Sequence, residues 1–250
     1  MTLDLAAILR HVRALWRRDR AILSPVSALL VFLPQYALLL LVPPMPAGAP
    51  GTGVETWAQA LEPWIAAYGG WYVAATLVGQ YGALAIVSLY AAPTRATGAA
   101  LARAALLFPR AFLATALVSL PCGVVALIAL SIPFAPVVVL PAIVYVLART
   151  VLIGPVVIGE RGTGAVTAIA RSWRSTRGHG LAIGLLVGAA MVGGQVLGAS
   201  VIAAEHGVRA GTFANPVLLA MIDAAAAGVA WVAALVLALA QVALYRRLAR

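Results

Sequence analysis

Six long apolar runs, separated by short polar or glycine- and proline-rich segments, dominate the hydropathy pattern of the chain. A helix needs about 20 mostly apolar residues to cross about 30 Å of hydrocarbon, and these runs are that long. They lack the ten-residue alternation that is typical of a β-barrel. The pattern predicts an all-α membrane protein with a single transmembrane domain, residues 1–250. Its spans lie at about 21–42, 70–92, 111–130, 134–158, 181–203 and 216–244.

The first 20 residues form an amphipathic pattern of helical period. The apolar face carries Leu5, Ile8, Leu9, Val12, Leu15 and Trp16, and the polar face carries Arg10, Arg13, Arg17 and Arg20. This pattern predicts a surface helix that leads into the first span. Within that span, Pro25 and Pro34 predict kinks.

The segments between spans differ in composition. Residues 43–56 are rich in Pro and Gly and contain no basic residue, and an aromatic segment with Trp57, Trp64 and Tyr68 follows as an interfacial anchor. Residues 93–110 form an alanine-rich helix with Arg95, Arg103 and Arg110. A tight turn at residues 131–133 joins spans three and four, and a loop at 205–215 precedes span six. Span five carries two Gly-x-x-x-Gly pairs, at 184/188 and 194/198, which allow close helix approach but are expected by chance in so glycine-rich a run.

The segment from Gly162 to Thr176 predicts a short amphipathic helix between spans four and five. Val166, Ile169 or Ala170, and Trp173 share one face, and Arg171, Arg174 and Ser175 lie toward the other. Thr163 is positioned to cap its start and Gly178 to end it. Such a helix lies along a membrane surface with its arginines among lipid phosphates.

Amphipathic cytoplasmic helices are thus predicted before spans 1, 3 and 5. Thr97-Gly98-Ala99 before span three is similar to Thr163-Gly164-Ala165 before span five. This likeness suggests three units, each a surface helix followed by a two-span hairpin. The features common to membrane proteins explain it equally well.

The composition, 64% hydrophobic and 10% charged, lies far outside the range of soluble domains. All 17 basic residues are arginines, the net charge is +10, and the arginines gather beside the apolar runs. Anionic phospholipids, and not nucleic acid, are therefore the expected partners. A GC-rich genome would explain the absence of lysine, so this absence indicates no chemistry specific to guanidinium groups. The N-terminal segment lacks the pattern of a cleaved signal peptide and is expected to remain in the mature protein.

The distribution of arginines predicts the orientation. With six spans and both termini inside, 16 of the 17 arginines lie on the cytoplasmic side, and Arg209 is the exception. The expected location is the cytoplasmic (inner) membrane of a bacterium.

No constellation for catalysis is recognisable. The three histidines, His11, His179 and His206, are dispersed, and nucleophile, zinc and phosphate-loop motifs are missing from the sequence. The single cysteine, Cys122, excludes an internal disulfide or a thiolate metal site. We therefore expect no enzyme, no cofactor and no metal. A deep cluster of Arg149, Glu160 and His179 would reopen the question.

The candidate lipid- or partner-binding residues surround the central amphipathic helix: Arg149, Glu160, Arg171, Trp173, Arg174 and Arg177. Arg149 lies one to two turns inside the cytoplasmic end of span four. It either binds a lipid headgroup or a partner carboxylate, or it extends its side chain to the interface. Glu160 complements a helix N-terminus and can pair with a nearby arginine. The three arginines and Trp173 either bind a lipid headgroup or only fix the topology of the chain and the depth of the helix in the membrane.

Ala168, Ser172, Trp173, Thr176 and Gly178 occupy the places of an A-x-x-x-S-W-x-x-T-x-G segment that follows a proline and an acid, here Pro155 and Glu160. In this the chain resembles bacterial six-span proteins of the glycerophosphoryl diester phosphodiesterase membrane-domain type over about 30 residues. The resemblance implies a membrane module. The catalytic barrel to which such regions are fused has no room in this chain, so diester hydrolysis is not implied.

The function expected from these features is a non-catalytic membrane module that organises anionic lipid or a partner protein, either another membrane protein or a larger membrane complex. The alternative is a lipid or small-solute transporter, suggested by the proline-broken spans one and four. A midplane cavity that contains Arg149 would favour the transporter.

Overall fold

The computed structural model describes residues 4–44, 46, 54–91, 96–130, 132, 134–160, 162–210 and 215–248. The side chains of residues 54, 55, 130, 202, 205, 206, 209 and 210 are not described. Arg95 and two residues of the predicted turn, 131 and 133, lie outside these ranges, as does most of the 43–56 loop.

Within the described residues the chain forms nine α-helices and one π-helical turn. The helices are α1 (Leu5–Ser27), α2 (Leu33–Leu41), α3 (Val54–Ala91), α4 (Thr97–Leu130), α5 (Ala135–Thr150), α6 (Ile153–Gly159), α7 (Ala165–Ser175), α8 (Gly180–Ala210) and α9 (Pro216–Leu248). The π turn, Ala28–Phe32, joins α1 to α2 without a break.

Six of the helical segments are long and apolar enough to cross a membrane, which confirms the predicted six-span all-α fold. They are Leu5–Leu41, Thr56–Ala91, Thr97–Ala129, Ala135–Gly159, Gly180–Val201 and Pro216–Leu248. At 1.5 Å per residue the 37-residue Leu5–Leu41 segment is about 55 Å long, well beyond the hydrocarbon thickness. The surplus length lies in the arginine-bearing segment that precedes the apolar run.

The entry segments before spans 1 and 3 are therefore not separate surface helices. Residues 5–20 and 97–110 lie in the same helices as the apolar runs that follow them, and Pro25, Pro109 and Pro121 fall inside those helices without ending them. The segment before span 5 forms a helix of its own, α7. Residues 205–210, expected in a loop, extend α8 instead. The three entry segments thus differ in structure.

The predicted irregularity in the first span takes the form of the π turn. Pro34 lies at the start of α2 and lacks the N–H that an uninterrupted helix would use, and the wider π turn before it accommodates that loss. Helix α3 packs closely against this turn at Gly82. A Cβ there would lie 2.7 Å from the Leu30 Cβ and 3.2 Å from the Leu30 carbonyl oxygen, so the approach requires glycine.

The arginine-bearing half of α1 packs on the protein and does not float free of it. Ile8, Val12 and Leu15 are buried and belong to the main core, where α1 contacts α9. Leu9, predicted on the same face, is exposed, because the buried face is narrower than the apolar stripe. The Arg246 guanidinium at the end of α9 donates to the Tyr90 carbonyl at the end of α3, 3.2 Å away. One end of the bundle therefore gathers α1, the end of α3 and the end of α9.

Helix α8 uses part of its glycine stripe to approach α5. A Cβ on Gly188 would lie 3.2 Å from the Val144 Cγ1, and one on Gly184 would lie 3.8 Å from the Ala148 Cβ. The Gly184/Gly188 pair thus supports a helix contact. Gly194 contacts α9 at Ala233, whereas Gly198 faces open space.

Candidate functional site

The site is built where span four breaks. Helix α5 ends at Thr150, Val151 and Leu152 form a turn, and α6 then continues to Gly159. The Gly154-Pro155 pair in the first turn of α6 makes an uninterrupted helix unfavourable here. Such a break frees backbone groups inside the membrane, where each needs a partner.

Helix α7 supplies those partners. The Ser172 hydroxyl donates to the Arg149 carbonyl (2.9 Å) and accepts from the Leu152 N–H (3.1 Å). The Thr176 hydroxyl, also fully buried, lies 3.2 Å from the same Arg149 carbonyl. The two side chains lie one helical turn apart and hold α7 against the break in span four.

The sequence reasoning missed this role of Ser172 and Thr176. The predicted apolar face of α7 comprised Val166, Ile169 or Ala170, and Trp173. Of these, Ile169 is partly buried and packs against the core, whereas Val166, Ala170 and Trp173 are exposed. The face packed on protein instead carries Ala168 and Ser172, because small side chains allow α7 to lie close to α6 and α4. Two hydroxyls spaced by four residues on one face were the available signal.

The capping of α7 also differs from the prediction. Its N-cap is Gly164, which offers no side-chain hydrogen bond. Thr163 is buried, and its hydroxyl lies 3.4 Å from a carboxylate oxygen of Glu160. Gly178, with φ of 83°, turns the chain from α7 into α8, as its position predicted.

Arg149 is 4% exposed although it carries a full charge. Its guanidinium carbon lies 4.8 Å from the centre of the Trp173 ring, within the range of a cation–π contact. Its Nε has no hydrogen-bond partner in the part of the chain that the structure describes. Among the described side chains no carboxylate pairs with it. Among the described side chains, the charge of this arginine is therefore balanced by one aromatic face and by no group of opposite sign.

Two further groups shape the surroundings of Arg149. Tyr145, one turn earlier on α5, meets the Trp173 ring edge-on at 6.3 Å. Gly180, the first residue of α8, lies against both Tyr145 and Arg149, and a Cβ there would come within 3.3 Å of the Arg149 Cδ. Tyr145 is 42% and Trp173 39% exposed, so both rings beside the guanidinium reach the protein surface.

The other predicted residues separate into two groups. Glu160 forms an ion pair with Arg171, so that each neutralises the other. Arg174 and Arg177 are exposed, and Arg174 donates to the carbonyl of Ala170 in its own helix. The structure thus brings Arg149 and Trp173 together and pairs Glu160 with Arg171. It leaves Arg174 exposed on α7 and Arg177 exposed in the turn that follows.

Neither a metal site nor a catalytic cluster emerges from the described part of the chain. It contains no group of three or more His, Cys, Asp and Glu side chains that could hold a metal ion. The His179 ring lies 3.3 Å from the Arg177 carbonyl, while the Glu160 carboxylate is engaged by Arg171.

A cavity of about 360 Å³ lies between α3, α4, the α5–α6 break, α8 and α9. Its wall includes Thr150 and Gly154 of the broken span but not Arg149. This cavity is therefore not the Arg149-containing cavity that would favour the transporter alternative, and that alternative stays a prediction.

Comparison with protein-family models, curated proteins and solved structures finds no match for this chain.

Proposed function

We propose that this protein is a non-catalytic integral membrane module that binds anionic phospholipid at the cytoplasmic leaflet of a bacterial inner membrane. The observation that carries the proposal is the Arg149 guanidinium, nearly buried, stacked on Trp173 and lacking a carboxylate partner among the described residues. A buried charge is costly unless something of opposite sign accompanies it. A lipid phosphate supplies that charge.

The position of Arg149 suits a headgroup. In the proposed orientation it lies near the cytoplasmic boundary, where phosphates of anionic lipid are found. Trp173 and Tyr145 are the residue types that favour the membrane–water interface. Arginine also offers a planar set of donors that fits phosphate oxygens. Together these features select an anionic headgroup over a neutral one.

The exposed arginines of α7 add a second, weaker attraction. Arg174 and Arg177 carry charges that no carboxylate of the described chain is seen to neutralise, and each basic residue near an anionic surface contributes about 1 kcal/mol. Arg171 contributes less than its spacing suggested, because Glu160 already pairs with it. These groups draw anionic lipid toward α7, and Arg149 holds it.

Lipid analysis of the purified protein tests the proposal. The protein extracted with its surrounding lipid should retain phosphatidylglycerol above its share of the membrane, and Arg149→Gln should reduce that enrichment. Arg17→Gln, a change of the same charge at an exposed site on α1, should leave most of it. Retention that is equal in both variants, or that reflects the bulk lipid composition, would refute the proposal.

A further inference from the structure

The cavity between α3, α4, the α5–α6 break, α8 and α9 has a mixed lining that the lipid site does not explain. Most of it is apolar, with buried Leu84 and Val187 and the rings of Phe108 and Phe112. None of the described residues that line it is charged. A volume of about 360 Å³ falls at the lower end of the range of small-molecule pockets.

Two carboxamides face this cavity, those of Gln80 on α3 and Gln241 on α9. Neither has a hydrogen-bond partner among the described residues. A Cβ built on Gly154 would lie 3.6 Å from the Gln241 Oε1, so the side chain lies over the first turn of α6. A carboxamide has both donor and acceptor groups. If they stay unused inside a membrane protein, the carboxamide loses the hydrogen bonds that it would make to water.

Two of the three hydroxyls in the wall are already engaged. Thr150 donates to the Val146 carbonyl at 2.9 Å, and Thr115 donates to the Ala111 carbonyl at 3.0 Å, each within its own helix. The third, that of Ser119, is exposed. Among the described wall residues that are not exposed, the unused hydrogen-bonding capacity therefore lies in the two half-buried glutamines. They offer donors and acceptors without charge, which suits an uncharged polar group.

The cavity is half open, and its exposed wall residues include Phe112, Ser119 and Met191. Ser119 follows Arg110 by nine residues, so it lies about 13 Å deeper along α4, close to the middle of a hydrocarbon layer about 30 Å thick. A ligand that enters at this depth from the bilayer must itself be soluble in hydrocarbon.

We infer that this cavity binds a neutral amphiphile: an uncharged, hydrocarbon-soluble molecule with one hydroxyl, carbonyl or amide group, which Gln80 and Gln241 hydrogen-bond. The apolar wall takes the hydrocarbon part, and the two carboxamides take the polar group. The inference does not depend on the anionic-lipid site, because Arg149 is not part of the cavity wall.

A long-chain alcohol carrying a photoreactive diazirine tests the inference in phosphatidylcholine nanodiscs. In the wild-type protein we expect mass spectrometry to locate the label on residues 108–119 or 187–191. Added 1-decanol should compete for this labelling, whereas decane and decanoate at the same mole fraction should not. Equal competition by decane would show a purely apolar crevice and overturn the assignment, as would preferential competition by decanoate.

Variants then assign the polar contact. Gln80→Leu/Gln241→Leu should lower the labelling about five-fold, the loss expected for about one hydrogen bond of ordinary strength. Gln195→Leu is the matched control, since Gln195 is exposed on α8 and does not line the cavity. Ala83→Leu keeps both carboxamides but should block the cavity, and so should also lower the labelling. Unchanged labelling in the double variant would overturn the inference even if Arg149 proves to bind lipid.

Discussion

At the scale of single residues, burial of the Arg149 charge lowers the stability of the protein when no ligand is bound. Its Nε lacks a partner and its charge faces an aromatic ring, so the fold gains little from it beyond the cation–π contact with Trp173. Replacing a buried, uncompensated charge by an apolar side chain of similar length is often neutral or stabilising. The residue is better explained by what it binds than by what it stabilises.

This view predicts the thermal stability of Arg149→Met. In a neutral detergent without anionic lipid, the variant should have a Tm equal to or above that of the wild type, because the burial cost of the charge is gone. Differential scanning fluorimetry or circular dichroism measures this. A Tm several degrees lower would mean that the guanidinium stabilises the fold and would argue for a structural role.

At the scale of helices, α7 stabilises the break between α5 and α6 in span four. Its Ser172 satisfies both the Arg149 carbonyl and the Leu152 N–H at the junction of α5 and α6. The same contacts hold α7, and with it Trp173, next to Arg149, so the geometry of the proposed lipid site depends on them.

Ser172→Ala should therefore destabilise the protein by about 1–3 kcal/mol, because it leaves a buried N–H and a buried carbonyl short of a partner. Hydrogen exchange at the Leu152 amide should accelerate in the variant. Ser175→Ala, three residues later on the same helix, is the matched control and should have little effect. A comparable loss in both variants would show that Ser172 does not act through the junction.

The contact between α3 and the π turn gives a second prediction at this scale. Gly82→Ala places a Cβ against Leu30 and should cost about 1–3 kcal/mol through overpacking. Gly79→Ala, almost one turn earlier, meets nothing within 4 Å and should be neutral or slightly stabilising. Chemical denaturation of both variants in detergent compares them. Equal stabilities would contradict the close packing at the π turn.

The sequence was sufficient for the number and placement of the spans, because apolar length is written directly into it. It was less informative about α7. Apolar periodicity selects Val166 and Trp173 as a face, but the protein-packed face depends on a partner, the α5–α6 break, that no local pattern reveals. Likewise, Arg171 was grouped with the other arginines by spacing, whereas its pairing with Glu160 depends on how α6 and α7 meet.

At the scale of the molecule, the arginines collect at one end of the bundle. The guanidinium of Arg246 bonds the Tyr90 carbonyl, and Arg103 of α4 donates to the Ile158 carbonyl at the end of α6. This end of the bundle therefore contains the N-termini of α1 and α4 and the C-termini of α3, α6 and α9. The proposed function assumes, from the positive-inside rule, that this end faces the cytoplasm.

Cysteine accessibility tests this orientation. In a Cys122→Ala background, Gln59→Cys should react with a membrane-impermeant maleimide in intact spheroplasts. Thr167→Cys on α7 should react only after lysis or in inverted vesicles. Both positions are exposed on the protein surface, so access depends on the membrane. The reverse pattern would invert the topology and move the arginine-rich end outside.

The central claim, that Arg149 binds an anionic headgroup, is tested most directly by titrating phosphatidylglycerol and phosphatidylcholine into the purified protein at 0.15 M salt. The wild type should bind phosphatidylglycerol about tenfold more tightly than Arg149→Gln does, a difference of about 1.4 kcal/mol, with no such difference for phosphatidylcholine. Arg149→Gln with undiminished affinity for phosphatidylglycerol would contradict it.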